Sequence, residues 1–373
     1  MIRDHVCCPR EKFVEALEFH GCETWGLTKS ISSYIFPREW YSNLPNFKSS
    51  YNGSSNGLIW ITLFFGYTTD RDYIQFVGNP VLQQWVEIRP PLYLDRPSLS
   101  CLVTRVENGV VLDFKAVWLD CESRIGLCAN VYSSETGKWT YNMPLQCSRP
   151  IANAFTDHPV AMSLNGTLYL CECERFGVNS GYIVAHDFYA SGPGADQCQV
   201  IPLPDNPDKD YYRRALTTSG GDVMFIEILS QGQRLKLWKL ENNECTSDSG
   251  DMWKLSWEIN SVSFGYGGGD YFPMAMNPFD TDLSYLWSEE QRCLVSFNLR
   301  THEFIVQRET ESCLVNTYMF KEYVEDIIHC ISDYVVMIPQ FVLPRWMESV
   351  PGPRTDITAF LLHFDIAVLY PFR

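Results

Sequence analysis

Short apolar runs recur along this chain, and each is entered through a tight polar turn. Asn56-Gly57 precedes LIWITLFF, Asn108-Gly109 precedes VVLDFKAVWL, Asn165-Gly166 precedes TLYLCEC, and Gly220-Gly221 precedes DVMFIEI. The second glycines stand at 57, 109, 166 and 221, so the steps are 52, 57 and 55 residues. Asn-Gly suits a two-residue hairpin turn because both residues tolerate positive φ, and the flanking Val, Ile, Tyr, Phe and Trp suit strands. Thr136-Gly137 reads as a similar turn. A second pattern follows each of these runs: an apolar strand, a polar turn and another strand, often with a Trp and a Pro. Its copies are FVGNPVLQQWVEIRPP (76–91), NVYSSETGKWTYNMPL (130–145), the looser AHDFYASGPGADQCQVIPLP (185–204), LKLWKLENNECTSDSGDMWKLSWEI (235–259) and LVSFNLRTHEFIVQRE (294–309).

Each unit therefore predicts about four short strands, and a repeat of about 50 residues with four strands is the signature of a propeller blade, nearest in period to kelch. The expected fold is an all-β, kelch-like β-propeller of about six blades, seven being the other count. One blade cannot bury both faces alone and must stack on its neighbours, so the aromatic residues are expected between blades. Five units are legible from Phe47 to Glu309. Ser30–Phe36, Cys313–Phe320 and Asp333–Pro339 are the segments that could supply a closing blade, which would remove open sheet edges. PREKFVEALEFHG near the start predicts a short helix over Glu11–His20. The expected organisation is an N-terminal extension with that helix (1–29), one propeller (30–353) and a tail (354–373).

Five stretches carry a resemblance: SSNGLIWI (54–61), VGNPVLQQWVEIRPP (77–91), VYSSETGKW (131–139), MSLNGTLYL (162–170) and FVLPRWMESVPGP (341–353). In this order they resemble the plant F-box-associated β-propeller proteins. The resemblance implies a kelch-like propeller that recruits proteins to a cullin-based (SCF) ubiquitin ligase. An F-box is a helical segment of about 45 residues that opens on a Leu-Pro-x-Asp/Glu pattern, as the resemblance has it. Residues 1–29 carry no such pattern, and Leu44-Pro45 is not continued as a helix. The expectation is a propeller without its adaptor-binding F-box, a free binding domain that does not hold the SCF adaptor by itself.

Composition narrows the picture. The 373 residues are 46% hydrophobic and 20% charged, which excludes a mostly disordered chain. The formal net charge is −16, which argues against nucleic acid or an anionic membrane as partner. The apolar stretch Ile357–Tyr370 is broken by His363 and Asp365 and is too short to span a bilayer. The first ten residues lack the apolar run of a signal peptide, and the 14 cysteines are scattered, so free thiols in the cytoplasm or nucleus are expected. The sequons at Asn52 and Asn165 then carry no sugar.

Catalytic and metal chemistry find little support. Cys171-Glu172-Cys173 and Cys7-Cys8 lack partner pairs at zinc spacing. His186-Asp187 would face opposite sides of a strand and cannot form a dyad. There is no G-x-S-x-G and no H-E-x-x-H, and FGYGGGDYF (264–272) lacks the rest of a phosphate-binding loop. No catalytic residue, metal ligand or cofactor is expected. Binding is different, because propellers meet partners through loops. DKDYYRR puts Tyr211, Tyr212, Arg213 and Arg214 together, the residue types of interface hot spots, and Tyr266 and Tyr271 flank a glycine run. These six are the candidate contacts for a protein substrate of unknown identity. Tyr211 and Tyr212 could equally open a strand and pack between blades. The rival class is a propeller hydrolase or oxidase with polar groups at its axis; a third reading is a vestigial relative without a partner.

Overall fold

The computed structural model describes residues 47–65, 73–80, 82–89, 99–120, 127–148, 161–173, 181–204, 212–229, 234–241, 252–260, 271–291, 293–306, 335–336 and 350–352. They form five antiparallel meanders in chain order. Sheet one holds β1 (Phe47–Ser55), β2 (Leu58–Phe65), β3 (Tyr73–Asn79) and β4 (Gln84–Ile88). Sheet two holds β5 (Leu99–Glu107), β6 (Val110–Asp120), β7 (Cys128–Ser133) and β8 (Lys138–Pro144). Sheet three holds β9 (Ala161–Leu164), β10 (Thr167–Cys173), β11 (Gly181–Asp187) and β12 (Gln199–Pro202). Sheet four holds β13 (Tyr212–Ser219), β14 (Asp222–Leu229), β15 (Arg234–Leu240) and β16 (Trp253–Asn260). Sheet five holds β17 (Tyr271–Met276), β18 (Leu283–Ser288), β19 (Cys293–Asn298) and β20 (Phe304–Val306). This is the β-propeller that the repeat predicts, with LIWIT, TLYLC, VMFIEI and LVSFNL in four different sheets.

The turns explain the period. Asn56 and Gly57 have φ of 45° and 81°, Asn108 and Gly109 51° and 80°, Asn165 and Gly166 49° and 86°, and Gly220 and Gly221 60° and 86°. Positive φ at both central residues matches the right-handed twist of the flanking strands, which selects Asn-Gly or Gly-Gly there. Sheet five departs from this. Its first turn runs from Met276 to Leu283, and the Asn277 side-chain oxygen accepts from the Phe279 and Asp280 amides at 2.9 and 3.0 Å. An Asx cap there does the work of the glycine, so the glycine period stops at four.

The core lies between sheets. Trp60, Phe114, Ala116 and Trp118 join sheets one and two, with the two indoles stacked at 6.3 Å. Val117, Leu119, Leu168 and Val184 join sheets two and three; Ile183, Leu216, Phe225 and Trp253 join three and four; Ala215, Ile226, Leu286 and Phe297 join four and five. Strand β6 supplies alternate residues to two clusters, Phe114 and Trp118 to one and Val117 and Leu119 to the other. A strand buried on both faces is what a continuous apolar run encodes. Gly53 marks a close approach: a Cβ there would stand 2.9 Å from the Leu102 amide nitrogen of the next sheet.

Equivalent contacts repeat along the outer strands. The Trp139 indole, at the start of β8, donates to the Arg89 carbonyl just past β4 at 2.7 Å, and Trp253, at the start of β16, donates to Pro202 at the end of β12 at 2.7 Å. The first strands are tied as well. Ser55, the last residue of β1, meets Thr104 of β5 at 2.8 Å, and Ser219, the last of β13, donates to the Asn277 carbonyl after β17 at 2.6 Å. One segment expected to help close the ring takes another place. Val335–Val336 (β21) lies parallel to β13 at Arg214 and Ala215, as a fifth strand on the free edge of sheet four. The helix expected over Glu11–His20, the segments Ser30–Phe36 and Cys313–Phe320, and the tail after Pro353 lie outside the described residues.

Candidate partner-binding edge

In an antiparallel meander, alternate connections fall on opposite edges. The β1–β2 and β3–β4 turns share one edge with their counterparts in the other sheets, here the turn edge. The opposite edge, here the loop edge, holds the ends of the fourth strands and the starts of the next first strands. The long connections from Ile88 to Leu99, Pro144 to Ala161, Pro202 to Tyr212 and Asn260 to Tyr271 all leave and arrive there. The two sequence segments singled out for binding belong to the last two of these connections. Tyr211 and Tyr266 themselves lie outside the described residues.

Tyr212 opens β13 and Tyr271 opens β17. Arg213 lies across the gap between sheets four and five. Its guanidinium carbon sits 3.5 Å from the Phe272 ring centroid, Nη1 donates to the Tyr271 carbonyl at 3.3 Å, and Nη2 reaches Glu289 Oε2 at 3.4 Å. A desolvated guanidinium over an aromatic face is held more firmly than one on an open surface. The two candidate segments, separate in sequence, are thus in direct contact. Tyr271 is buried and its ring stacks on Phe304 at 5.7 Å. Burial, with the Glu290 carboxylate second, pushes its hydroxyl above the usual tyrosine range.

Arg214 points the other way, as strand alternation requires. It stands opposite Glu227, which stands opposite Lys236, which stands opposite Glu258. A row of alternating charge therefore crosses all four strands of sheet four near the loop edge. Arg214 Nε lies 3.6 Å from Glu227 Oε1, and the Trp238 indole donates to Glu227 Oε2 at 2.9 Å. Glu227 is buried, and that burial raises its carboxyl pKa against the opposing pull of Trp238, Arg214 and Lys236. Sequence reasoning named the arginines but missed Glu227 and Phe272. The signal for Glu227 was one acid inside the apolar run DVMFIEI.

The other chemistry weighed from sequence is placed as follows. His186 is buried with its ring edge-on to Phe188 at 4.6 Å, whereas Asp187 is exposed and accepts from the Tyr189 amide at 2.8 Å. They face opposite ways and form no dyad. Cys101, Cys128, Cys147, Cys171, Cys198 and Cys293 are unlinked thiols. Among the described residues, no group of three or more His, Cys, Asp or Glu side chains is arranged to hold a metal, and no helix is long and apolar enough to cross a membrane.

A family profile described as "F-box protein At3g26010-like, beta-propeller" matches residues 5–352. The chain belongs to this family. F-box protein At1g49990 of Arabidopsis thaliana is 42% identical, over 92% of this chain and 84% of its own length. F-box protein At3g26010 of Arabidopsis thaliana is 40% identical, over 90% of this chain and 75% of its own length. A putative F-box/kelch-repeat protein of the same plant, At4g22430, is 36% identical over 91% and 78%. The resemblance drawn from the Asn-Gly turns and Trp strands is therefore correct at the level of the family and of the propeller.

Proposed function

We propose that this family member is a non-enzymatic protein-binding propeller, the part of an SCF-type F-box protein that selects the protein to be ubiquitinated, at work in the cytoplasm or nucleus. The observation that supports the reading best is the pairing of family with topology. Relatives named F-box proteins match nearly the whole chain, and the connections that arrive at β13 and β17 stand side by side on the loop edge. In this reading Tyr211 and Tyr266, in those connections, make the contact, and Arg213, Arg214 and Tyr271 anchor the strands that carry them. Tyr and Arg suit the role because each offers a large contact area with a polar tip. The charge of −16 favours a basic face on the partner.

The experiment is an affinity purification of the tagged chain from plant cells, with each recovered protein then tested for direct binding to the purified chain. The reading expects one protein that binds the purified chain directly. Direct binding only to small molecules would overturn it. A second arm offers purified SCF adaptor with a full-length relative as positive control. Retention of this chain would assign it the ligase contact as well as the substrate contact.

A further inference from the structure

The contact between sheets two and three occupies the place that Trp139 and Trp253 fill at the neighbouring seams, but its chemistry is different. Past the end of β8, Gln146 pairs in parallel with Gln197, which precedes β12. The Gln146 amide donates to the Asp196 carbonyl and the Cys198 amide to the Gln146 carbonyl, both at 2.8 Å. With 146 opposite 197 in a parallel pair, Cys147 stands opposite Cys198. Adjacent strands are about 4.8 Å apart, inside the Cα–Cα range that a disulfide spans without moving the backbone. The Cys198 thiol is hydrogen-bonded to Cys147, and His186 Nδ1 lies 3.8 Å from its sulfur on the other side. Both cysteines are partly buried against the cluster of Leu99, Val117 and Phe188. The row Cys147–Cys198–His186 thus runs from sheet two into sheet three.

We propose that Cys147 and Cys198 form a redox-active dithiol that closes to a disulfide between sheets two and three when the protein meets a peroxide. Cys198 keeps its proton well above the usual thiol range, first because it donates to Cys147 and then because it is buried. Either sulfur can attack; with Cys147 attacking, its thiolate takes one oxygen of hydrogen peroxide, the O–O bond breaks and the hydroxide leaves as water with a proton from solvent. The Cys198 sulfur then attacks the sulfenic acid on Cys147. The S–S bond forms, the S–O bond breaks, and the departing hydroxide takes the Cys198 proton as a second water. Burial holds the His186 imidazole below its ordinary pKa, and its Nδ1 donates to the Gln197 carbonyl at 3.3 Å, which fixes the ring beside Cys198. Two thiols and one peroxide give one disulfide and two waters, and a small thiol reverses the step by exchange.

The test uses the purified full chain. After brief exposure to hydrogen peroxide, remaining thiols are alkylated, the chain is digested without reductant and the peptides are weighed. The expected product is a Cys147–Cys198 linked pair, lost on treatment with dithiothreitol. Because the bond closes 198 − 147 = 51 residues of chain, the melting temperature of the oxidised protein is expected to rise by about 5 °C or more. In the single variants Cys198→Ser and Cys147→Ser the remaining cysteine has no resolving partner, and the one that attacks is expected to accumulate as a sulfenic acid that dimedone labels. Full alkylation of both cysteines in peroxide-treated, folded wild type would overturn the proposal, as would a linked pair that joins either of them to a different cysteine. Absence of dimedone labelling in both single variants would overturn it as well.

Discussion

The two edges of the propeller are built by different rules. At the turn edge, four sheets use the same solution, a two-residue turn with positive φ at both positions, and the chemistry of that turn is local to Asn-Gly or Gly-Gly. At the loop edge the connections between sheets do not repeat. The connections that arrive at β13 and β17 differ in sequence. Arg213 reaches across to sheet five, onto Phe272 and Glu289, whereas Arg214 faces Glu227 within sheet four. The scaffold is thus encoded by a period and the candidate contact surface by departures from it. Substitutions at the turn edge and core should change stability, and substitutions at the loop edge should change binding.

The sharpest way to break that contrast is a core residue that serves both edges. Trp60 is fully buried and stacks on Trp118 of the next sheet. Trp60→Ala should cost about 3–5 kcal/mol in denaturant unfolding. A loss under about 1 kcal/mol would mean that the sheets do not depend on this packing. The turn edge comes next. Gly166 has φ of +86°, and a Cβ there would meet the Tyr189 ring at 2.9 Å. Gly166→Val should therefore destabilise by about 1–3 kcal/mol. Gly109 has the same backbone with open space around it, so Gly109→Val should cost less than Gly166→Val. Equal losses at the two sites would show that backbone strain alone decides.

The seam contact is smaller. Trp139→Phe removes the indole bond to the Arg89 carbonyl while keeping a ring, and should cost about 1 kcal/mol in the same unfolding assay. Smaller still is a pH effect at the loop edge. The Glu227 pKa is raised in the folded protein, chiefly by burial, so the unfolded chain ionises first. The stability this group contributes is full below its unfolded pKa and is lost as pH rises through the higher folded value. Wild type should accordingly lose stability relative to Glu227→Gln as pH is raised from about 4 to 7. The opposite slope would mean that Arg214, Trp238 and Lys236 outweigh burial.

The sequence carried the turn edge plainly, because Asn56-Gly57 and its three counterparts encode their own geometry. The strands were legible for a related reason: Leu58–Ile61 of β2, Ala116–Leu119 of β6 and Val223–Ile226 of β14 are buried and appear as short continuous apolar runs. Sheet five was harder to read, since Asn277 caps a longer turn without glycine. The Val335–Val336 pairing with β13 was not legible at all, because a two-residue strand takes its partner from tertiary packing. At the candidate surface, residue type pointed to Arg213 and Tyr271 separately. That they touch depends on two sheets meeting across 58 residues, which no local pattern contains. Strand alternation, in contrast, does foretell that Arg213 and Arg214 face different neighbours once β13 is known to start at Tyr212.

The most direct measurement of the contrast compares partner capture by variants of the two edges, at matched folded fraction. A loop-edge variant combines Tyr211→Ala, Arg213→Ala and Tyr266→Ala; a turn-edge variant replaces the exposed Glu107 and Lys138 by Ala. The affinity of each for the directly bound protein is determined by titration, with melting temperature as the folding control. The account predicts that the loop-edge variant binds at least tenfold more weakly, about 1.4 kcal/mol or more, while the turn-edge variant binds as wild type does. Unchanged affinity in the loop-edge variant, or a tenfold loss in the turn-edge variant with its melting temperature intact, would contradict it.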